Sequence, residues 1–195
     1  MNNTKRSIEL SNDRDPCYGL FFDTNETLYC SILAKHRVIK RSLRIDNDSW
    51  ITAAGDGIEG NPPTRLRFPQ GIFVDINFTL YVADCDNNVI QQFKFNSTVG
   101  LEVPTNTGLH CPTDIVLDGD NNMYIVDNKK HRIIRATLPL NNIECLIGCS
   151  ATSGIELNKL THPIALMFDT MGNIYVTDTK NKRVLKFLLI NTFGK

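Results

Sequence analysis

The sequence predicts an all-β fold, a β-propeller with four blades, and three observations predict it. One stretch recurs four times in phase, over 17–41, 69–93, 112–136 and 163–187. Within each copy an Asp stands six positions in (Asp23, Asp75, Asp118, Asp169) and a Tyr twelve positions in (Tyr29, Tyr81, Tyr124, Tyr175). The apolar runs between these markers do not alternate, as in Ala165-Leu-Met-Phe168 and Ile174-Tyr-Val176. Continuous apolar strands belong to sheets covered on both faces. Units spaced 43 to 52 residues apart, each with three or four such strands, stack radially as blades.

In chain order, a polar segment over 1–15 precedes the repeats, which occupy 16–195 with blades at about 16–55, 66–103, 109–148 and 160–190. The polar segment holds one short run, Ser7-Ile-Glu-Leu10, which reads either as an unstructured start or as an outer strand for the last blade. In the first blade, strands are expected at Gly19–Phe22, Thr27–Ile32, Arg37–Leu43 and Ser49–Ala54, with Trp50 packing on the outer strand. Gly55-Asp-Gly57 through Asn61-Pro-Pro63 reads as a loop to the second blade. The second blade begins Pro69-Gln-Gly-Ile-Phe-Val-Asp75 and continues Leu80-Tyr-Val-Ala-Asp84; the third begins Pro112-Thr-Asp-Ile-Val-Leu-Asp118 and continues Met123-Tyr-Ile-Val-Asp127. In the fourth, Asp169 and Gly172-Asn173 supply one turn, Asp178 to Lys182 supply the next through an Asx side chain, and the third strand runs from Val184 to Ile190.

Asp84, Asp127 and Asp178 each end a second strand, and Arg132 and Arg183 follow their Asp by five residues. That spacing lets a carboxylate cap turn amides while it meets a guanidinium, so these residues read as structural turn clamps rather than catalytic acids. Asp118-Gly-Asp120-Asn-Asn122 lacks a calcium loop's sixth-position Gly and has Lys129 where a bidentate Glu belongs, so it reads as a hairpin tip. Of the six cysteines, Cys85 and Cys111 lie at loops of neighbouring blades and are expected to pair, as are Cys145 and Cys149 across a short loop. Cys17 and Cys30 are left to pair across one hairpin or to remain buried thiols, because sequence does not dictate connectivity.

Pro-x-Gly-Ile-x-Val-Asp, then Leu-Tyr-Val-Ala-Asp, then Asn-x-Arg-Ile/Val resembles the NHL-repeat pattern, and the likeness covers most of 15–187. The first unit departs from it at Cys17 and Ile32, and the second has Val89 where Arg is expected. The resemblance implies a propeller that serves as a binding platform and that commonly has six blades; four units therefore imply an open arc belonging to a larger ring. It also brings to mind the NHL-like lyase that cleaves peptidyl-hydroxyglycine with a histidine-bound zinc. His110 and His162, just before two inner strands, are the candidate metal ligands that this implies. The corresponding places in the other blades hold Asp15-Pro16 and Phe68, so a third histidine is missing. No catalytic residue, metal or cofactor is assigned.

Charge and composition narrow the function. Twenty-one basic residues balance 21 acidic ones, which argues against bulk attraction to nucleic acid or an anionic membrane. No apolar run is long enough to span a bilayer, and the first ten residues do not read as a signal peptide. Six cysteines and five Asn-x-Ser/Thr sequons, at Asn2, Asn25, Asn47, Asn77 and Asn96, point to an oxidising compartment. Asn25, Asn77 and Asn96 are the expected glycosylation sites. These features make the chain the extracellular or cell-surface part of a longer protein, a non-enzymatic scaffold for a protein or peptide ligand. RNA binding by the basic runs 35–44, 129–135 and 180–186 is the alternative, with the zinc-dependent lyase a third reading.

Overall fold

Residues 15–44, 49–105, 107–137 and 142–188 are described by the computed structural model. They form four antiparallel sheets. The first comprises β1 (Leu20–Phe22), β2 (Thr27–Ile32), β3 (Arg37–Ser42) and β4 (Ile51–Ala54). The second comprises β5 (Pro69–Val74), β6 (Leu80–Asp84), β7 (Val89–Phe93) and β8 (Leu101–Glu102). The third comprises β9 (Pro112–Leu117), β10 (Asn122–Asp127), β11 (Arg132–Thr137) and β12 (Asn142–Ile147). The fourth holds β13 (Pro163–Phe168), β14 (Ile174–Asp178) and β15 (Arg183–Phe187). Each sheet is a simple meander, and the only helical segments among the described residues are single 3₁₀ turns between second and third strands. Ser7–Leu10, Ile190, Asn2 and Asn47 lie outside the described residues, so an outer strand for the fourth blade does too.

Local chemistry repeats with the strands. The Asp six residues into each unit forms the Asx turn between first and second strands. Asp75 Oδ1, for instance, accepts the Asn77 and Thr79 amides at 2.9 and 2.8 Å. Its Oδ2 accepts the Tyr81 hydroxyl at 3.4 Å, and the same Asp–Tyr bond closes the other three units. Glu26, Phe78, Asn121 and Gly172 then turn the chain with a left-handed φ of 58 to 80°. The expectation that Asp178 to Lys182 would carry an Asx turn is corrected: that link is a 3₁₀ turn closed by left-handed Lys182, and the Asp178 carboxylate points elsewhere.

Inner strands run side by side around the arc: β1 beside β5, β5 beside β9, β9 beside β13. The seams are tight. A Cβ on Gly71 would lie 2.6 Å from the Asp114 Cα, so only glycine permits this approach. Across the next seam, buried Asp114 accepts the Leu166 amide at 2.9 Å. Three apolar clusters fill the seams between successive blades, including Val82 and Phe93 with Leu66, Ile115 and Ile125 with Ile90, and Val126 and Leu160 with Val176. Trp50 packs against a fourth, smaller cluster of Cys30, Ile32 and Ile39 in the first blade. The middle blades are therefore covered on both faces, with β6 buried throughout. The outward faces of the end blades are open: Phe22 is 54% exposed in the first, and Met167 and Val184 are 63% and 65% exposed in the fourth.

Candidate functional site

In the second, third and fourth blades the 3₁₀ turn sits over the long loop that leads into its own blade, and a buried carboxylate joins the two. Asp178 Oδ1 accepts the Thr161 amide at 2.6 Å, seventeen residues upstream. Its Oδ2 accepts Asn181 Nδ2 and Arg183 Nε, both at 2.8 Å. The guanidinium of Arg183 then reaches the carbonyls of Ile155, Glu156 and Lys159, at 2.6, 3.0 and 3.0 Å. In the third blade Asp127 accepts the His110 amide and Arg132 Nε, both at 2.8 Å, while Lys130 bonds the Thr107 and Gly108 carbonyls. In the second, where Val89 stands in place of Arg, Gln91 bridges Asp84 Oδ2 and the Arg65 carbonyl at 2.7 and 3.0 Å, and Asn87 bridges Asp84 and Gly60. Asp84 Oδ1 accepts the Arg67 amide. The clamps thus cap amides of the inter-blade loop, not of their own turn. The acid is fully buried, and the loop is the unpaired backbone that packs beneath it.

A second device joins one blade to the next. The left-handed residue after each 3₁₀ turn offers an acceptor to the amide just before the following inner strand. His36 Nδ1 takes the Phe68 amide at 3.3 Å, Asn88 Oδ1 the Cys111 amide at 2.9 Å, and His131 Nδ1 the His162 amide at 3.1 Å. Phe68, Cys111 and His162 all share a φ of 51°, unusual for residues with a Cβ. The fourth blade has Lys182 at the acceptor position, which has no lone pair to offer, and the first has Pro16 at the donor position, which has no N–H.

The loops so held carry exposed apolar side chains. Ile155 and Leu157, between the third and fourth blades, are 76% and 77% exposed, and Ile58 projects from the loop between the first two. Leu157 lines a 540 Å³ groove together with Cys149 and Phe187. The opposite face carries the strand-connecting turns and a groove of about 210 Å³ between the first two blades, walled by Lys40, Ile51, Phe78 and Phe95.

The candidate metal ligands His110 and His162 meet different neighbours. His162 packs edge-on against His131, ring centroids 4.7 Å apart, and its Nδ1 meets Asn128 Oδ1, while exposed His110 serves through its backbone. Among the described residues neither histidine belongs to a three-ligand cluster. Burial, then the neighbouring His162 ring, lowers the His131 pKa, which keeps the acceptor lone pair available at neutral pH. The cysteines are joined as Cys17–Cys30, Cys85–Cys111 and Cys145–Cys149, with Cα separations of 5.5, 3.9 and 5.5 Å. Asn25, Asn77 and Asn96 are exposed at turn tips. In the basic runs, Arg132, Arg135, Arg183 and Lys186 are each paired with a carboxylate. Burial raises Asp84 to about 6, against the pull of its amide donors, and does the same to Asp114.

The NHL-repeat sequence model matches residues 160–187. Teneurin-m of Drosophila melanogaster is 23% identical over 216 residues, covering 87% of this chain and 8% of that protein. A streptogramin B lyase structure superposes with a TM-score of 0.65 at 13% identity, over 96% of this chain and 59% of the other. A chain of a nidogen/laminin complex structure gives 0.62 at 20% identity, over 87% and 64%. This chain therefore spans less than two thirds of each of these relatives' lengths. The chain thus carries an NHL repeat at 160–187, preceded by three in-phase copies of the same unit on the radial sheets of a β-propeller.

Proposed function

We propose that the chain is a non-enzymatic scaffold that binds a protein or peptide in an oxidising, extracellular setting. One observation carries this reading. Arg183, Lys130, Gln91 and Asn87 direct donors at carbonyls of the inter-blade loops, so apolar side chains such as Ile155 and Leu157 are presented on backbone held by buried carboxylates. Preorganised loops on a rigid frame lower the ordering cost of binding. The three disulfides support the compartment. The nidogen/laminin likeness favours a protein partner, and the lyase likeness reflects fold alone. The open faces of the end blades are the natural seats for further sheets of a larger ring.

The test is a binding screen of the disulfide-bonded chain against extracellular protein ectodomains, repeated with Ile155→Asp/Leu157→Asp. Binding lost in the double variant at an unchanged melting temperature supports the loop surface. A hit indifferent to these changes moves the site elsewhere. Salt-dependent RNA binding or stoichiometric zinc with lyase turnover would replace the reading altogether.

A further inference from the structure

Two of the three described sequons line one groove, and the third adjoins it through Phe78. The groove lies between the first two blades, on the face of the strand-connecting turns. Asn25 and Asn96 line it from opposite walls. Asn77 immediately precedes Phe78, and Asn96 immediately follows Phe95; these two rings pack 5.7 Å apart in the groove. Each sequon straddles a turn with a left-handed residue, at Glu26, Phe78 and Asn96 itself. Among the described residues no hydrogen bond engages the side-chain amide of Asn25, Asn77 or Asn96. Phe95 is 56% exposed with the Lys40 ammonium 5.6 Å from its centroid. A sequence pattern that arises easily by chance thus converges, in space, on an aromatic pair of which Phe95 stays more than half exposed.

We propose that this groove is the seat of the chain's own N-linked glycans, with the first N-acetylglucosamine on Asn96 lying against Phe95. The inference rests on the extracellular reading. The donor is an oligosaccharide linked to a polyprenyl diphosphate. The Asn Nδ2–C1 bond forms, the C1–O bond breaks, the diphosphate leaves with its electron pair and the amide gives up one proton; nothing is oxidised or reduced. The Thr that closes each sequon, at 27, 79 and 98, satisfies the pattern the transferase reads. Once attached, a pyranose presents a face of C–H groups, partly positive, to the negative face of an aromatic ring. Burying that face and the Phe95 ring removes apolar surface from water. The exposed part of the Phe95 ring beside the Lys40 ammonium then gains a cover. The glycans also occupy the turn face, leaving the clamped loops on the other face for the partner.

The experiment expresses the full chain behind a cleavable secretion leader in a eukaryotic host and reads site occupancy by glycopeptide mass spectrometry, in medium and in cell lysate. Occupied Asn25, Asn77 and Asn96 are expected. Thermal melts then compare the parent, Phe95→Ala and Asn96→Gln, each before and after enzymatic glycan removal. Phe95→Ala should lower the midpoint of the glycosylated protein by about 2–4 °C more than that of the stripped protein. Asn96→Gln should lose the same increment, and this variant leaves the ring pair intact should Phe95→Ala fold poorly. Occupied sites with no difference between glycosylated and stripped forms overturn the seat while leaving the extracellular reading in place. Unoccupied sequons on a secreted, disulfide-bonded chain also overturn it. Free thiols on the chain in its native source would instead bring down the extracellular reading itself.

Discussion

The second and fourth blades solve one problem with different chemistry. Both bury an Asp at the end of the second strand and use it to hold the loop seventeen residues upstream. In the fourth, Arg183 supplies a positive charge and three further loop contacts. In the second, two neutral amides, from Asn87 and Gln91, do the work, and no cation meets Asp84. The geometry survives the exchange of charge for dipoles, but the electrostatics do not: an uncompensated buried carboxylate resists ionisation, and Asp84 moves up to about 6. The clamp is thus defined by donors reaching a buried acceptor, and in the second blade, where those donors are neutral, burial holds the proton on Asp84 more firmly.

The largest effect should separate the two clamps. Asp178→Asn strands the largely buried Arg183 guanidinium without its counter-charge and should cost about 3 kcal/mol or more in chemical denaturation. Asp84→Asn strands no charge and should cost only about 1–2 kcal/mol. Equal losses would mean that the cation contributes nothing beyond a hydrogen bond. Arg183→Ala leaves Asp178 buried against one amide and one side chain, so its melting temperature should fall clearly; an unchanged value would refute the clamp.

A pH titration sharpens the contrast. The Asp84 pKa is raised on folding, so the native state binds the proton more tightly than the unfolded chain does. Its contribution to stability is therefore fullest below about pH 4, falls as pH rises from there to about 6, and is level above. The slope is at most about 1.4 kcal/mol per pH unit for one proton. Asp114 adds to it in the same window. Asp84→Asn should remove part of this slope, and so should Val89→Arg, which places a cation at the position Arg183 holds in the fourth unit. A slope unchanged by both variants would assign the titration to Asp114 alone.

The smallest effects belong to the links between blades. His36→Ala removes the acceptor of the Phe68 amide and should cost about 1 kcal/mol. Lys182→Ala removes no such acceptor and should leave the denaturation midpoint unchanged. His131 responds to acid in the sense opposite to Asp84: its folded pKa is lowered, so its contribution disappears as pH falls below its ordinary value near 6.5.

Much of this was legible before the fold was known. The Asp at the sixth place and the Tyr at the twelfth announced the hairpins, because a side chain that caps a turn must keep its register. The five-residue spacing of Asp178 and Arg183 announced a contact across a turn. Its target was not legible, since the receiving groups are backbone amides of the loop and carry no side-chain signature. Gln91 was invisible for a similar reason, standing two residues beyond the place where Arg was sought. The inter-blade links were hidden more deeply still. His36, Asn88 and His131 share only a lone pair and a left-handed backbone, which no residue pattern spells, and their partners donate main-chain N–H groups. His162 is a metal candidate by its place before an inner strand, and nothing in the pattern shows that its amide and ring meet His131.

Those links give the array a fixed reading order. Each of the first three units carries an acceptor between its second and third strands, and each of the last three is entered through a donor amide held at a φ of 51°. Pro16, its φ locked negative, cannot adopt that conformation, and Lys182 cannot receive an amide. Units two and three each carry both an acceptor and a donor, but exchanging them would part the Cys85–Cys111 disulfide that joins them, and a chain rearranged so that unit four precedes unit two or three would leave the incoming amide facing an ammonium. Such permutants, built from the same residues, would differ in which seams keep their links.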